Sequence, residues 1–401
     1  MVAASTIRSD RPGAPRHELA DILRAHAEAY GATHVVRPDQ WKVLRALQAC
    51  RTAELGGHVD RCVDCGVDRP SYNSCRNRHC PKCQGSSQIA WVEERKKQLL
   101  PVGYFHCVFT LPSPLRGIAQ RNERVVYDLL FRAASDTLLT LGRDPKRVSG
   151  LVGVTAILHT WTRDLSYHPH IHAIVTGGGL RSDGKAWNGP RRPNFLFPIK
   201  VMGALFAGKF LAGLRLAWER GKLKLPEAVA APLQFESLID SLRATSWVVY
   251  AKRPFAGPEH VITYLGQYTH RVGLSNRRLL DVADDRVVLA TRDGKSTTMA
   301  PAELIRRFLQ HILPPGFVKI RHYGLWAAAS RTRLAQAMAL FPAPRSPNDS
   351  HPIEPPSPEI ATDEVWACTS CGGSHFERFL VPRTRTPARI AEDAALHGPS
   401  G

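Results

Sequence analysis

Two short runs in the chain hold the residue types that can cut and retain phosphodiesters. The first is His168-Pro169-His170-Ile171-His172. In a strand, residues two apart share a face. His170 and His172 therefore present two imidazoles side by side, with Ile171 turned to a core. Ala173-Ile174-Val175 follows and keeps this strand inside a sheet. Paired imidazoles can hold a divalent metal, and a metal there acts as a Lewis acid on a scissile phosphate. A further ligand is needed. His168 shares the face by parity, and Asp164 and His159 are the other candidates; spacing does not choose among them.

The second run is Tyr264-Leu265-Gly266-Gln267-Tyr268. On a helix, positions i and i+4 lie one turn apart on one face. Two aromatic rings at that spacing usually pack into a core. Here Thr269-His270-Arg271 and Ser275-Asn276-Arg277-Arg278 follow, a basic and polar stretch suited to a phosphate-binding surface. A tyrosine hydroxyl can attack phosphorus and keep the bond energy in a phosphotyrosine for later rejoining. Two phenols allow two successive transfers. On this reading Tyr264 and Tyr268 are the catalytic nucleophiles, and Arg271, Arg277 and Arg278 hold the DNA backbone.

Nine cysteines are present, five of them between Cys62 and Cys83. Cys62-Val-Asp-Cys65 and Cys80-Pro-Lys-Cys83 are two Cys-x-x-Cys pairs with 14 residues between them, the spacing of a two-knuckle zinc ribbon. Four thiolates close a tetrahedron, so Zn²⁺ on Cys62, Cys65, Cys80 and Cys83 is expected to be structural. Cys75, His79 and His58 are spare ligand types nearby. Arg61, Arg69, Arg76, Arg78 and Lys82 would give the knuckles a basic surface. Cys368-x-x-Cys371 is half a site, with His375 as a third ligand type and no evident fourth.

The elements that must position these groups follow from periodicity. Helical spacing marks Glu18 to Tyr30, a segment opened by Pro38, Gln88 to Leu100, Arg121 to Leu141, Ile199 to Arg220, Gln234 to Thr245, Pro258 to Arg271 and Pro301 to Leu313. Strand-like runs span Tyr104 to Thr110, Leu151 to His159, His170 to Thr176 and Trp247 to Tyr250, with a hairpin about Asp293-Gly294. Strands and helices mix without regular alternation, which predicts an α+β fold. The region from 341 is dense in Pro and Ser and reads as a flexible tail. Lys and Arg number 54 against 35 Asp and Glu, a formal charge of +19 spread along 401 residues. Such a field suits a partner made of phosphates. No run reaches the ~18 uninterrupted apolar residues of a membrane span, and residues 1–16 lack the apolar core of a secretory signal. A cytoplasmic protein without a membrane partner is expected.

In order along the chain, these motifs resemble the two-tyrosine rolling-circle transposases of the insertion-sequence-91 type, within the HUH endonuclease superfamily. The resemblance spans roughly Leu19 to Leu334. It is carried by Ser74 to Gln84, by Phe109-Thr110-Leu111-Pro112, by the histidine run, by Tyr264 and Tyr268 with Arg271, Ser275, Asn276 and Arg278, and by His311 and Arg321-His322-Tyr323-Gly324. It implies an antiparallel HUH core with flanking helices, the histidines on a central strand and the tyrosines on a facing helix. It also implies Mg²⁺ or Mn²⁺, 5′-phosphotyrosine intermediates on single-stranded element termini and target, and a 3′-hydroxyl that primes the host replication machinery. One departure stands out: family members often carry Gly-Gln-Asn after the tryptophan, where Trp161 here precedes Thr162-Arg163-Asp164. The domain organisation that follows is a helical segment (1–57), a zinc ribbon with its following helix (58–100), the HUH domain (101–340) and the tail (341–401). A rolling-circle replication initiator and a non-catalytic zinc-ribbon DNA-binding protein are the rival readings.

Overall fold

A computed structural model describes residues 15–252, 261, 273–341 and 367–384. In chain order its elements are α1 (Leu19–Thr33), α2 (Pro38–Gln48), β1 (Gly57–Cys62), β2 (Asp68–Tyr72), α3 (Gln84–Lys96), β3 (Tyr104–Thr110), α4 (Arg116–Arg121), α5 (Glu123–Arg143), β4 (Gly153–Trp161), β5 (Tyr167–Thr176), β6 (Gly179–Leu180), β7 (Trp187–Asn188), α6 (Ile199–Glu219), α7 (Pro232–Ala244), β8 (Val249–Lys252), β9 (Leu279–Val282), β10 (Val287–Ala290), β11 (Ser296–Met299), α8 (Pro301–Leu309), β12 (Ile320–Gly324), α9 (Arg331–Ala339) and β13 (Phe376–Val381). They fall into two compact units. One takes its described residues from Met1–Cys83, Ser275–Val282 and Ala343–Gly401, the other from Gln84–Leu274 and Ala283–Pro342. The fold is α+β, as the mixed pattern predicts.

The larger unit is built on a five-stranded antiparallel sheet in the order β12-β4-β5-β3-β8. Alternation sorts its residues. Val154, Ala156 and Leu158 of β4 stand opposite Val175, Ala173 and Ile171 of β5. With Phe105, Cys107 and Phe109 of β3 they form one wholly apolar face, all of it buried. Helices α5 and α6 supply the other half of this core. Val126, Leu130, Ala134 and Leu138 recur along α5, and Met202, Phe206, Phe210 and Leu214 along α6, the period of a helix burying one stripe. Each large side chain so buried contributes about 1.5–3 kcal/mol. By length and composition α6 alone among the described helices could cross a membrane, but that stripe lies in this core.

The opposite face of the sheet is different. Tyr104, Ile157, Ile174 and Val261 form a small apolar cluster there, beside the polar side chains described below. β4 and β5 are joined by a tight turn with a register irregularity between His159 and Trp161. Leu165 in this turn is left-handed, φ 62°, which costs a side-chain-bearing residue about 1–2 kcal/mol. Two contacts hold it: its side chain is fully buried, and its carbonyl lies 3.0 Å from His311 Nε2. The β10–β11 hairpin turns at Asp293 and Gly294, both with positive φ, as the Asp-Gly pair predicts.

In the smaller unit, α1 and α2 precede a three-stranded antiparallel sheet, β13-β1-β2. The first N–H of α1, on Leu19, donates to Asn276 Oδ1 at 3.1 Å, a cap supplied from 257 residues away. From the C-terminal segment, β13 joins this sheet, in register from Gly57↔Val381 to Cys62↔Phe376. The first stretch of this unit ends at Cys83. The helix expected over Pro258 to Arg271 lies outside the described residues, except for Val261.

Candidate functional site

Strand parity places His168, His170 and His172 on one face of β5 and Tyr167, Pro169 and Ile171 on the other, the latter three buried. Register then adds a third imidazole: His159 on β4 is the direct partner of His170. Ligand atoms of His159, His170 and His172 lie within 4.8 Å of one another, and His170 Nε2 is 3.1 Å from His172 Nε2. His170 Nδ1 donates to the His168 carbonyl at 2.7 Å, so its Nε2 carries the lone pair. His172 Nδ1 meets Nε2 of His106, on β3, at 2.8 Å. With the His172 proton on Nδ1, donated to His106, its Nε2 is bare as well; with the proton on Nε2, it is donated to His170 Nε2 at 3.1 Å. The first tautomer sets two bare nitrogens 3.1 Å apart, an arrangement that a cation between them stabilises. Two ligands 2.0–2.1 Å from one metal with a right angle between them lie about 3 Å apart, so the donor set fits a divalent ion. Burial pushes His170 and His106 down to about 4, and His172 further down. All three are therefore neutral near pH 7, the form that ligates.

The other two candidates for the third ligand have hydrogen-bond partners of their own. His168 Nδ1 sits 2.9 Å from the Arg116 guanidinium. Asp164 accepts from the hydroxyls of Thr162 and Ser166, and its backbone carbonyl accepts from Arg307 at 2.7 Å. Burial raises the Asp164 carboxyl, but these hydroxyl bonds prevail and hold it at about 2. Beside it, Arg116, Arg306 and Arg307 line a basic cleft of about 270 Å³ with Gln120, Ser166, Tyr167 and Gln310.

Tyr264, Tyr268 and Arg271 lie outside the described residues. Val261 packs with Ile157 and Ile174 on the histidine face, and Ile157 is the register partner of His172. A Cβ at Gly273 falls 3.3 Å from Leu165 and 3.4 Å from Trp161, and Trp161 stacks on His159 with ring centroids 4.7 Å apart. Arg277 is exposed and Arg278 half-buried, next to the Asn276 that caps α1.

The cysteines group differently from their spacing. Cys80 and Cys83 join Cys50 and Cys75, while Cys62 and Cys65 lie with Cys368 and Cys371. The single ribbon site expected from Cys62, Cys65, Cys80 and Cys83 is therefore corrected to two groups. In the first, Cys50–Cys83, Cys80–Cys50 and Cys75–Cys83 sulfurs are 3.4, 3.5 and 3.6 Å apart. A tetrahedron with Zn–S of about 2.3 Å sets sulfurs about 3.8 Å apart, whereas a disulfide needs about 2.05 Å. The four residues fit a structural Zn²⁺. Hydrogen bonds led by Cys50 pull the Cys83 thiol down and push the Cys80 thiol up. His79 and His58 are in neither group. Two of the basic side chains expected to face DNA are paired, Arg61 with Asp68 at 2.7 Å and Lys82 with Glu18 at 2.6 Å.

Comparison with known proteins agrees with this arrangement. A family model described as "Transposase zinc-binding domain" matches residues 22–111, and one described as "Putative transposase" matches residues 153–333. The chain is 42% identical over 369 residues to "Putative transposase y4qJ" of Sinorhizobium fredii, covering 88% of this chain and 92% of that one. It belongs to the insertion-sequence-91-type transposase family. It is also 27% identical over 306 residues to the transposase for insertion sequence element IS801 of Pseudomonas savastanoi pv. phaseolicola, covering 73% and 71% of the two chains. No solved structure matches. As a transposase the protein binds DNA and cuts and joins it, and its first cysteine group lies within the zinc-binding match.

Two residues of this transposase's sites escape spacing arguments. Cys50 is a single cysteine after α2, with no Cys-x-x-Cys partner. His106 is a single histidine in a strand; the available signal was alternation along Tyr104–Thr110, which sets His106, Val108 and Thr110 on the face that pairs with the histidine face of β5.

Proposed function

We propose that this transposase nicks and rejoins single-stranded DNA through 5′-phosphotyrosine intermediates and so drives rolling-circle transposition. The observation that carries the reading is the convergence of His159, His170 and His172 on one face of the sheet. Mg²⁺ or Mn²⁺ held by these three would withdraw charge from an oxygen of the scissile phosphate. The hydroxyl of Tyr264 or Tyr268 attacks phosphorus and the 3′-oxygen leaves, exchanging one phosphodiester for another, so the step is reversible and the second tyrosine can take part in a later transfer. The freed 3′-hydroxyl then serves as a primer for host replication. Val261, three positions before Tyr264 in the sequence, packs with Ile157 and Ile174 on the histidine face. Arg116, Arg306 and Arg307, with Arg271, Arg277 and Arg278, supply guanidinium groups for the backbone phosphates.

The test is covalent capture. A labelled single-stranded element terminus with Mg²⁺ is expected to give a denaturation-resistant protein–DNA adduct. The adduct should disappear in Tyr264→Phe/Tyr268→Phe and fall sharply in His170→Ala. An adduct of wild-type yield in the double Phe variant refutes the reading.

A further inference from the structure

The second cysteine group lies partly beyond the regions that match the transposase families, since Cys368 and Cys371 follow residue 333. Its two halves are built alike. In Cys62-Val63-Asp64-Cys65-Gly66 the Gly66 N–H returns to the Cys62 carbonyl at 2.8 Å, and Gly66 is left-handed at φ 72°. In Cys368-Thr369-Ser370-Cys371-Gly372 the Gly372 N–H returns to the Cys368 carbonyl at 2.8 Å, with φ 78°. Each turn aims both of its sulfurs to one side. The turns face each other: Cys62 and Cys371 sulfurs are 3.6 Å apart and Cys65 and Cys368 sulfurs 3.7 Å. Those separations match the ~3.8 Å edge of a zinc tetrathiolate and are nearly twice the ~2.05 Å of a disulfide.

The backbone around the group is held in the same arrangement. Val63 N–H donates to the His375 carbonyl at 3.0 Å, and β13 runs antiparallel to β1 from that point. Asp60, a β1 carboxylate that is 2% exposed, receives Arg378 Nε at 2.6 Å and Nη2 at 3.2 Å from its register partner on β13. A Cβ on Gly373 would fall 1.9 Å from Asp64 Oδ2, so a side chain there would require the Asp64 carboxylate to move aside.

We infer that Cys62, Cys65, Cys368 and Cys371 form a second structural zinc site, which staples the C-terminal strand β13 onto β1, so that each chain carries two zinc ions. The site leaves no open position on the metal, so its role is mechanical: it makes the distal segment part of the zinc-binding module. It is independent of the nuclease chemistry proposed above.

Zinc content of the full chain, purified without chelators, tests this. Elemental analysis is expected to give two zinc per chain, and Cys368→Ser/Cys371→Ser is expected to give one. In that variant, amide exchange should quicken over Phe376–Val381 while the β3 and β5 amides of the nuclease sheet stay protected, showing that the rest of the fold persists. One zinc in the wild-type chain, two in the variant, or a disulfide linking either pair in mass spectra of the alkylated protein would overturn the inference.

Discussion

His106 offers the sharpest measurement on the histidine site, because it should matter without touching the metal. His172 can present Nε2 to a cation only if its proton sits on Nδ1, and the partner for that proton is His106 Nε2 at 2.8 Å. His106 is 2% exposed, and burial, with Lys252 and His170 nearby, pushes it down to about 4. At pH 7 it is therefore neutral, and in the tautomer with its proton on Nδ1 it accepts at Nε2. His106→Ala leaves a buried N–H without a partner, a cost of about 1–3 kcal/mol, and frees the His172 ring to rotate or change tautomer. Loss of such an orienting partner lowers metal affinity by about 10–100-fold, or roughly 1.4–2.7 kcal/mol. Titration calorimetry with Mn²⁺ on wild type, His106→Ala and His159→Ala separates the effects. We expect the alanine at 106 to weaken binding within that range, the alanine at 159 to weaken it further, and His106→Gln, which restores an acceptor oxygen, to recover part of the loss. Wild-type Mn²⁺ affinity in His106→Ala would show that the 2.8 Å contact does not orient His172.

Other outcomes follow from buried groups elsewhere. His311 is buried between Thr160 and the Leu165 carbonyl and pushed down to about 4. Between that value and the ~6.5 of an unfolded histidine the unfolded chain binds the extra proton, so stability is full above the upper value and falls as pH drops through the window. One such residue is worth about 2 kcal/mol between pH 7 and pH 5. Urea melts at the two pH values should show the loss, and His311→Gln should reduce it; equal stability at both would refute the reading. Arg378→Ala removes the hydrogen-bonded partner of the buried Asp60 carboxylate, leaving His58, 3.5 Å away, and the charge of Arg69, and is expected to destabilise the small sheet, measurable as faster amide exchange in β1. Cys65 and Cys371 are exposed whereas Cys50 and Cys80 are buried, so a colorimetric chelator should remove zinc in two phases, with the slow phase alone surviving in Cys368→Ser/Cys371→Ser. Asp164→Asn should change Mn²⁺ affinity less than twofold, since Asp164 is spent on Thr162, Ser166 and Arg307; a tenfold loss would return it to the ligand set.

What could be read from residue order was local. Alternation in His168 to His172 located the histidine face, and the apolar stripes of α5 and α6 located the helices behind the sheet. His159 was readable as one of three candidates, and its selection required a hairpin register: residues 159 and 170 are equidistant from a turn centred between Asp164 and Leu165. The cysteines show where such reasoning fails. Cys-x-x-Cys pairs announce knuckles, but not which knuckle faces which, and the nearer pairing of Cys62/Cys65 with Cys80/Cys83 was the natural expectation. The actual partners of Cys62 and Cys65 lie about 300 residues later, and a cysteine without a motif, Cys50, completes the other group. The Asn276 cap on α1 is equally remote. Non-local closures of this kind leave no periodic trace.

The pairing of β1 with β13 also has a consequence in time. Phe376 follows its register partner Cys62 by 314 residues, which a ribosome adding about 5–20 residues per second takes roughly 15–60 s to make. Throughout that interval β1 has no neighbour on one edge, and Cys62 and Cys65 wait as free thiols. The β1–β13 sheet is therefore begun about 300 residues before it can be completed, and a chain that stops between β1 and β13 cannot finish it.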